Sequence, residues 1–274
     1  MADAAPNPAG NPGTGPLTGS GAFAPLPGGA PLWRQVAAQA AMEARLMLRN
    51  GEQLLLAVVI PVLILVGGVT AGEHLNLKLT DPRPLVDIFT PGVLALAVMS
   101  TSFTSLAIAT GFERRYGVIK RLGASPLPRV GLLAGKVVAL LLVELLQMFV
   151  IGGVGQILGW TPEPGAVGFF LAVLLGTAAF ASLGLFVAGV LRAEATLAAA
   201  NLIYLLLMAG GAVVLPISAY GGFGDVARWL PSGALGEAIR AAFLHAEVSW
   251  RDLGVLLAWA LIGTGLTART FTWE

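Results

Sequence analysis

Six runs of apolar residues, each long enough to cross a lipid bilayer, constrain this chain more than any other feature. A spanning helix needs about 20 consecutive, mostly apolar residues. Such runs extend from about Gln53 to Gly72, Val86 to Phe112, Gly131 to Gly159, Gly165 to Leu191, Ala195 to Leu215 and Leu253 to Thr270. Only 11% of the 274 residues are charged and 56% are apolar, where a soluble domain carries roughly 25% charged residues. The expected fold is therefore an all-α integral membrane protein with six transmembrane helices. The 36 glycines suit that setting, because small residues let helix backbones approach closely in lipid.

What lies outside the runs divides into unlike pieces. Residues 1–31 are rich in Pro, Gly and Ala. They have too little apolar surface to offset the entropy of ordering, so they read as a disordered tail. Residues 32–274 form the transmembrane domain. Its first stretch, 32–50, has the helical period: Trp33, Val36, Ala37, Ala40, Ala44, Met47 and Leu48 share one face, while Arg34, Gln35, Gln39, Glu43, Arg45 and Arg49 share the other. That pattern predicts an amphipathic helix lying in the membrane interface.

Charge sets the expected orientation. With a cytoplasmic N-terminus, eleven of the 16 Lys and Arg residues fall on inner segments and five on outer ones. The positive-inside rule favours that arrangement. A multi-pass protein of the cell membrane with both termini cytoplasmic is expected.

Two segments between the runs invite function. The inner loop from Gly111 to Pro126 holds Glu113, Arg114, Arg115, Gly117, Lys120, Arg121, Ser125 and Pro126. It has more positive charge than orientation requires, and the part from Glu113 to Leu122 can form a short helix for a cytoplasmic partner to grip. The plainer reading is an anchor touching only lipid headgroups. The outer segment from Pro216 to Arg251 is broken by prolines and glycines. Its helical stretch at 234–244 is too short and too polar to span, which points to a broken, partly re-entrant element shielded by protein or a wet cavity; a plain loop with a surface helix is the alternative. Within the runs, Glu144 and Gln147 lie one turn apart in the third, and Asn201 and Tyr204 form a weaker polar pair in the fifth. An ionisable residue inside a membrane is costly, so these four are the candidates for a substrate path, against a structural role as interhelical glue.

Other absences narrow the chemistry. The chain has no Cys and two His, and it lacks a phosphate-binding Gly-x-x-x-x-Gly-Lys-Ser/Thr loop, a zinc spacing or a serine elbow. No catalytic, metal or cofactor-binding residue is expected, nor any contact with nucleic acid. Energy for transport must come from a partner or from an ion gradient. In the gradient-driven alternative, a secondary transporter or channel, Glu144 would be the proton site.

Three places carry a family likeness. They are Arg49-Asn50-Gly51 leading into a span with Pro61; Glu113-Arg114, Gly117, Lys120-Arg121-Leu122, Ser125-Pro126 and Gly135-Lys136; and Leu215-Pro216 through Trp229-Leu230-Pro231 to Ala238-Ile239-Arg240. With the six-span plan, residues 32–274 resemble the permease subunit of type-2 ATP-binding-cassette exporters, drug and antibiotic efflux permeases of the daunorubicin type above all. Gly51 stands where that family often has proline. The resemblance implies a dimer of permeases, each served by an ATPase subunit that holds ATP and Mg. It implies contact of that ATPase with the amphipathic helix, through Arg45 and Arg49, and with the 113–126 loop. It implies export of a hydrophobic or amphipathic substrate, whether drug, antibiotic, lipid or glycan-lipid, between two permeases surrounded by membrane lipids.

Overall fold

The computed structural model describes residues 30–49, 51, 55–77, 79–118, 128–163 and 165–270. All elements discussed below belong to the unit Pro31–Glu274. Among the described residues there is no strand, and six helices are long and apolar enough to cross a membrane. They are Ala57–His74, Leu85–Arg115, Val130–Ile157, Ala166–Val190, Ala193–Gly210 and Trp250–Thr270. The chain is an all-α membrane protein.

The second span is the hub. Its apolar stretch is 83% buried within the protein, against 17% for the fifth. Spans one, three, four and five and the helix Pro231–Leu244 all pack on it or its continuation. Close packing comes from small residues: a Cβ added at Gly184 of the fourth span would lie 2.8 Å from the Phe103 carbonyl oxygen. Halfway along, Ser100–Ser105 widens into a π-helical stretch whose side chains are all buried. Ser102 Oγ donates back to the Val98 carbonyl at 2.5 Å, the usual way a hydroxyl is satisfied inside a membrane helix.

At the end of the bundle far from the amphipathic helix, the fifth span stops at Gly210, five residues earlier than its apolar run. Residues 211–214 stay buried but leave the helix, with Ala212 at φ 53°. Buried carbonyls freed in this way need donors. Ser232 Oγ donates to Gly211 at 2.9 Å, and Arg240 Nη2 donates to Val213 and Val214, each at 2.7 Å. Both donors sit on the helix Pro231–Leu244, which starts with Pro at its first turn, where a missing N–H costs nothing. Eleven of its 14 residues are buried, against the second, fourth and sixth spans. The broken segment is thus packed into the bundle and is not a plain loop. The sixth span begins at Trp250, ahead of its apolar run, because Asp252 is buried there and accepts from Ser249 Oγ at 2.6 Å and Arg251 Nη2 at 2.8 Å. Exposed Trp33 marks one end of the bundle, and exposed Trp229 and Trp250 mark the other, as expected of indoles at the two membrane–water boundaries.

Candidate functional site

The helix Leu32–Arg49 lies along the start of the third span. Its contact stripe is Gln39, Ala40 and Ala44, so Gln39 and Glu43, which the helical projection puts with the polar residues, turn toward protein. Gly135 explains the approach: a Cβ there would fall 2.6 Å from Gln39 Cγ. The next residue, Lys136, is a cation near the start of an apolar helix and needs paired charge. Its Nζ donates to Glu43 Oε1 at 2.9 Å and to Glu113 Oε1 at 2.7 Å. Gln39 Nε2 donates to the same Glu43 oxygen at 2.9 Å. All three charged side chains are less than 20% exposed. One lysine therefore ties the amphipathic helix, the end of the second span and the base of the third.

The next two residues fasten the same place to the fourth and fifth spans. Arg114 Nη1 donates to the carbonyls of Ala188 and Gly189. These lie in the last turn of the fourth span, where helix carbonyls lack intrahelical partners and a cation complements the dipole. Arg115 pairs with Glu194 in the first turn of the fifth span. The second span's helix then ends at Tyr116 and Gly117, whose φ of +67° is one that glycine adopts without strain. Arg45 and Arg49 are exposed on the amphipathic helix, away from its buried stripe. Lys120, Arg121, Ser125 and Pro126 lie outside the described residues, as do residues 1–29 of the tail. Of the expected cytoplasmic contacts, the structure brings Glu113, Arg114, Arg115 and Gly117 to the same end of the bundle as Arg45 and Arg49.

At mid-depth, Glu144 and Gln147 are both fully buried. Thr177 Oγ1 of the fourth span donates to Glu144 Oε2 at 2.7 Å. Thr101 of the π-helical stretch donates to Gln147 Oε1 at 3.0 Å, and Gln147 Nε2 donates to the Ala57 carbonyl at the start of the first span. Asn201 and Tyr204 are only partly buried on the fifth span, and among the described residues no hydrogen bond joins them to Glu144 or Gln147. Among the described residues the two candidates on the third span are therefore not joined to the two on the fifth. On either side of the Glu144–Thr177 bond the third and fourth spans part. One apolar groove of about 510 Å³ is lined by Leu141, Leu145, Phe149, Phe170 and Leu174. The other, of about 410 Å³, lies between Leu133, Val137, Ala181, Leu185 and Thr267.

Sequence reasoning missed Lys136 and Glu43 as partners, and Glu194. A lysine inside an apolar run was the signal for the first, since it demands an acid nearby. Among the described residues no cluster of His, Asp or Glu could hold a metal ion. Residues 75–269 match the model of ABC-2 family transporter proteins. The chain is also similar to a curated protein of Bacillus subtilis (strain 168) that bears the name transport permease YvfS. The two are 22% identical over 191 residues, covering 68% of this chain and 78% of that protein.

Proposed function

The chain belongs to the ABC-2 family of transporter proteins, and from that membership we propose that it is the permease subunit of an exporter driven by a separate ATPase. Two permeases and two ATPase subunits make the working unit, with ATP and Mg held by the ATPases. The end bearing Arg45, Arg49 and Arg115 faces the cytoplasm. The observation that carries this reading is the Lys136 bridge. It fixes the amphipathic helix to the ends of the two spans flanking the basic loop, so a push on that end reaches the hub span directly.

In this mechanism ATP closes the two ATPases, and their movement presses on the amphipathic helix, on the end of the second span at Glu113–Arg115 and on the loop that follows it to Pro126. ATP can shift the permease between inward-open and outward-open states only by binding one of them more tightly. The second span carries the displacement toward the far end, where Arg240 couples the broken segment to the fifth span. Cargo is hydrophobic or amphipathic: the apolar grooves beside Glu144 support this class, and efflux of a drug or antibiotic is the most specific form of the reading. The chain itself does no bond chemistry. In the competing gradient-driven reading, Glu144 would carry protons.

Reconstitution with the ATPase subunit tests the proposal. ATP-dependent accumulation of daunorubicin, used as a fluorescent probe, is expected in inside-out vesicles containing both chains and in neither alone. Accumulation by the purified permease alone under a pH gradient would favour the competing reading.

A further inference from the structure

The bend that joins the fourth and fifth spans borders a charged cleft, and the exporter reading gives no role to its Arg192. Val190 ends one helix and Ala193 begins the next, so the connection is only Leu191 and Arg192. Against it stands the end of the second span. The space between them, about 440 Å³, is lined by Gly111, Arg114, Arg115, Val190, Leu191, Arg192, Ala193 and Glu194. That volume is within the range of small-ligand sites. Three arginines against one glutamate leave a formal charge of +2. Arg114 is held in place by the carbonyls of Ala188 and Gly189, and Arg115 pairs with Glu194 at the exposed rim. Arg192 is exposed. It stands at the N-cap of the fifth span without capping it through its side chain, and the first N–H groups of that helix add positive potential to the cleft.

Depth and lining decide what such a cleft takes. Its walls are the ends of three spans, the level at which hydrocarbon gives way to headgroups. Val190 is 55% exposed, and one turn further into the fourth span Phe186 and Val187 are half-buried apolar residues. A ligand that meets both surfaces has an anionic head and an acyl tail. We propose that this cleft binds the phosphate of an anionic phospholipid, with Arg192 and Arg115 as its charge-assisted donors and the chain lying along Val190. Basic pockets between membrane helices at the cytoplasmic side are suited to such headgroups. Glu194 opposes the phosphate, and its pairing with Arg115 reduces that opposition. The inference rests on the exporter reading only for placing this end at the cytoplasmic leaflet.

The test uses the full chain purified in detergent, without the ATPase, so that it can fail while transport stands. Native mass spectrometry counts phosphatidylglycerol retained against phosphatidylcholine. Retention of phosphatidylglycerol by the parent chain is expected to fall about fivefold in Arg192→Gln, the share of one basic residue at an anionic surface. Arg192→Lys should keep most of it, and Arg45→Gln, which removes an exposed arginine elsewhere on this end, should leave it unchanged. Equal losses in Arg192→Gln and Arg45→Gln would mean diffuse attraction and overturn the site. Displacement of the lipid by millimolar inorganic phosphate would reassign the cleft to a free anion. Unchanged retention of phosphatidylglycerol in Arg192→Gln would remove Arg192 from any lipid contact and overturn the proposal.

Discussion

Arg240 Nη2 lies 2.7 Å from the carbonyl oxygen of Val214, and through that bond a helix that does not span supports one that ends early. Arg240 is 3% exposed. Burial lowers its pKa, and Glu237 beside it works the other way, accepting from Nη1 at 2.8 Å. Gly92 of the second span completes the contact, since a Cβ there would collide with the Val214 oxygen and crowd Arg240.

Two substitutions test this node. Gly92→Ala should push the second span away from the broken segment and cost about 1–3 kcal/mol, the usual range for overpacking. Arg240→Met should cost about 3 kcal/mol or more, because Val213, Val214 and Glu237 all lose a buried partner. Thermal unfolding in detergent measures both. A neutral Arg240→Met would mean that the carbonyls find water instead.

The Lys136 bridge predicts an order of effects. Lys136→Met leaves two carboxylates facing each other, and breaking a buried pair costs about 3–5 kcal/mol. Glu43→Gln leaves Lys136 with Glu113, so its effect on stability should be the smaller of the two. Coupling is the second readout: Glu43→Gln frees the amphipathic helix from the lysine, and stimulation of the ATPase by the permease should drop severalfold while the protein stays folded. Full stimulation in that variant would remove the bridge from the coupling path.

These two clusters also show where sequence runs out. Hydropathy alone locates six spans, since a helix in lipid satisfies its own backbone and its apolar length follows from bilayer thickness. The end of the fifth span was not legible: Gly211-Ala-Val-Val-Leu215 is as apolar as the helix before it, and what permits the break is an arginine 26 residues further on. Helical period found the amphipathic helix but put Gln39 and Glu43 with the polar face, because what they pack on is far along the chain: Gln39 meets Gly135, and Glu43 pairs with Lys136, 93 residues away. Glu144 and Gln147 were legible as costly residues in a membrane. Their bonds to Thr177 and Thr101 were not, as hydroxyls are common and the pairing depends on packing.

Glu144 separates the two energy sources. Gln in its place can still accept the Thr177 proton at nearly the same volume, so Glu144→Gln should change stability by less than about 1 kcal/mol. ATP-dependent daunorubicin transport should stay within twofold of the parent. Abolished transport in a variant that still melts normally would make the carboxyl a carrier of protons and favour the gradient-driven alternative.

Orientation is the last prediction, and the sequence makes it easy to test. With no native Cys, each introduced cysteine is a single reporter. Arg45 and Asp225 are both exposed, Arg45 on the amphipathic helix and Asp225 on the short helix Gly224–Ala227 at the far end. In intact cells an impermeant maleimide should label Asp225→Cys and reach Arg45→Cys only after permeabilisation. The excess of Lys and Arg near the amphipathic helix supports that direction. The reverse pattern would put Arg45, Arg49 and Arg115 outside the cell, beyond reach of any cytoplasmic ATPase, and the Lys136 bridge would then serve stability alone.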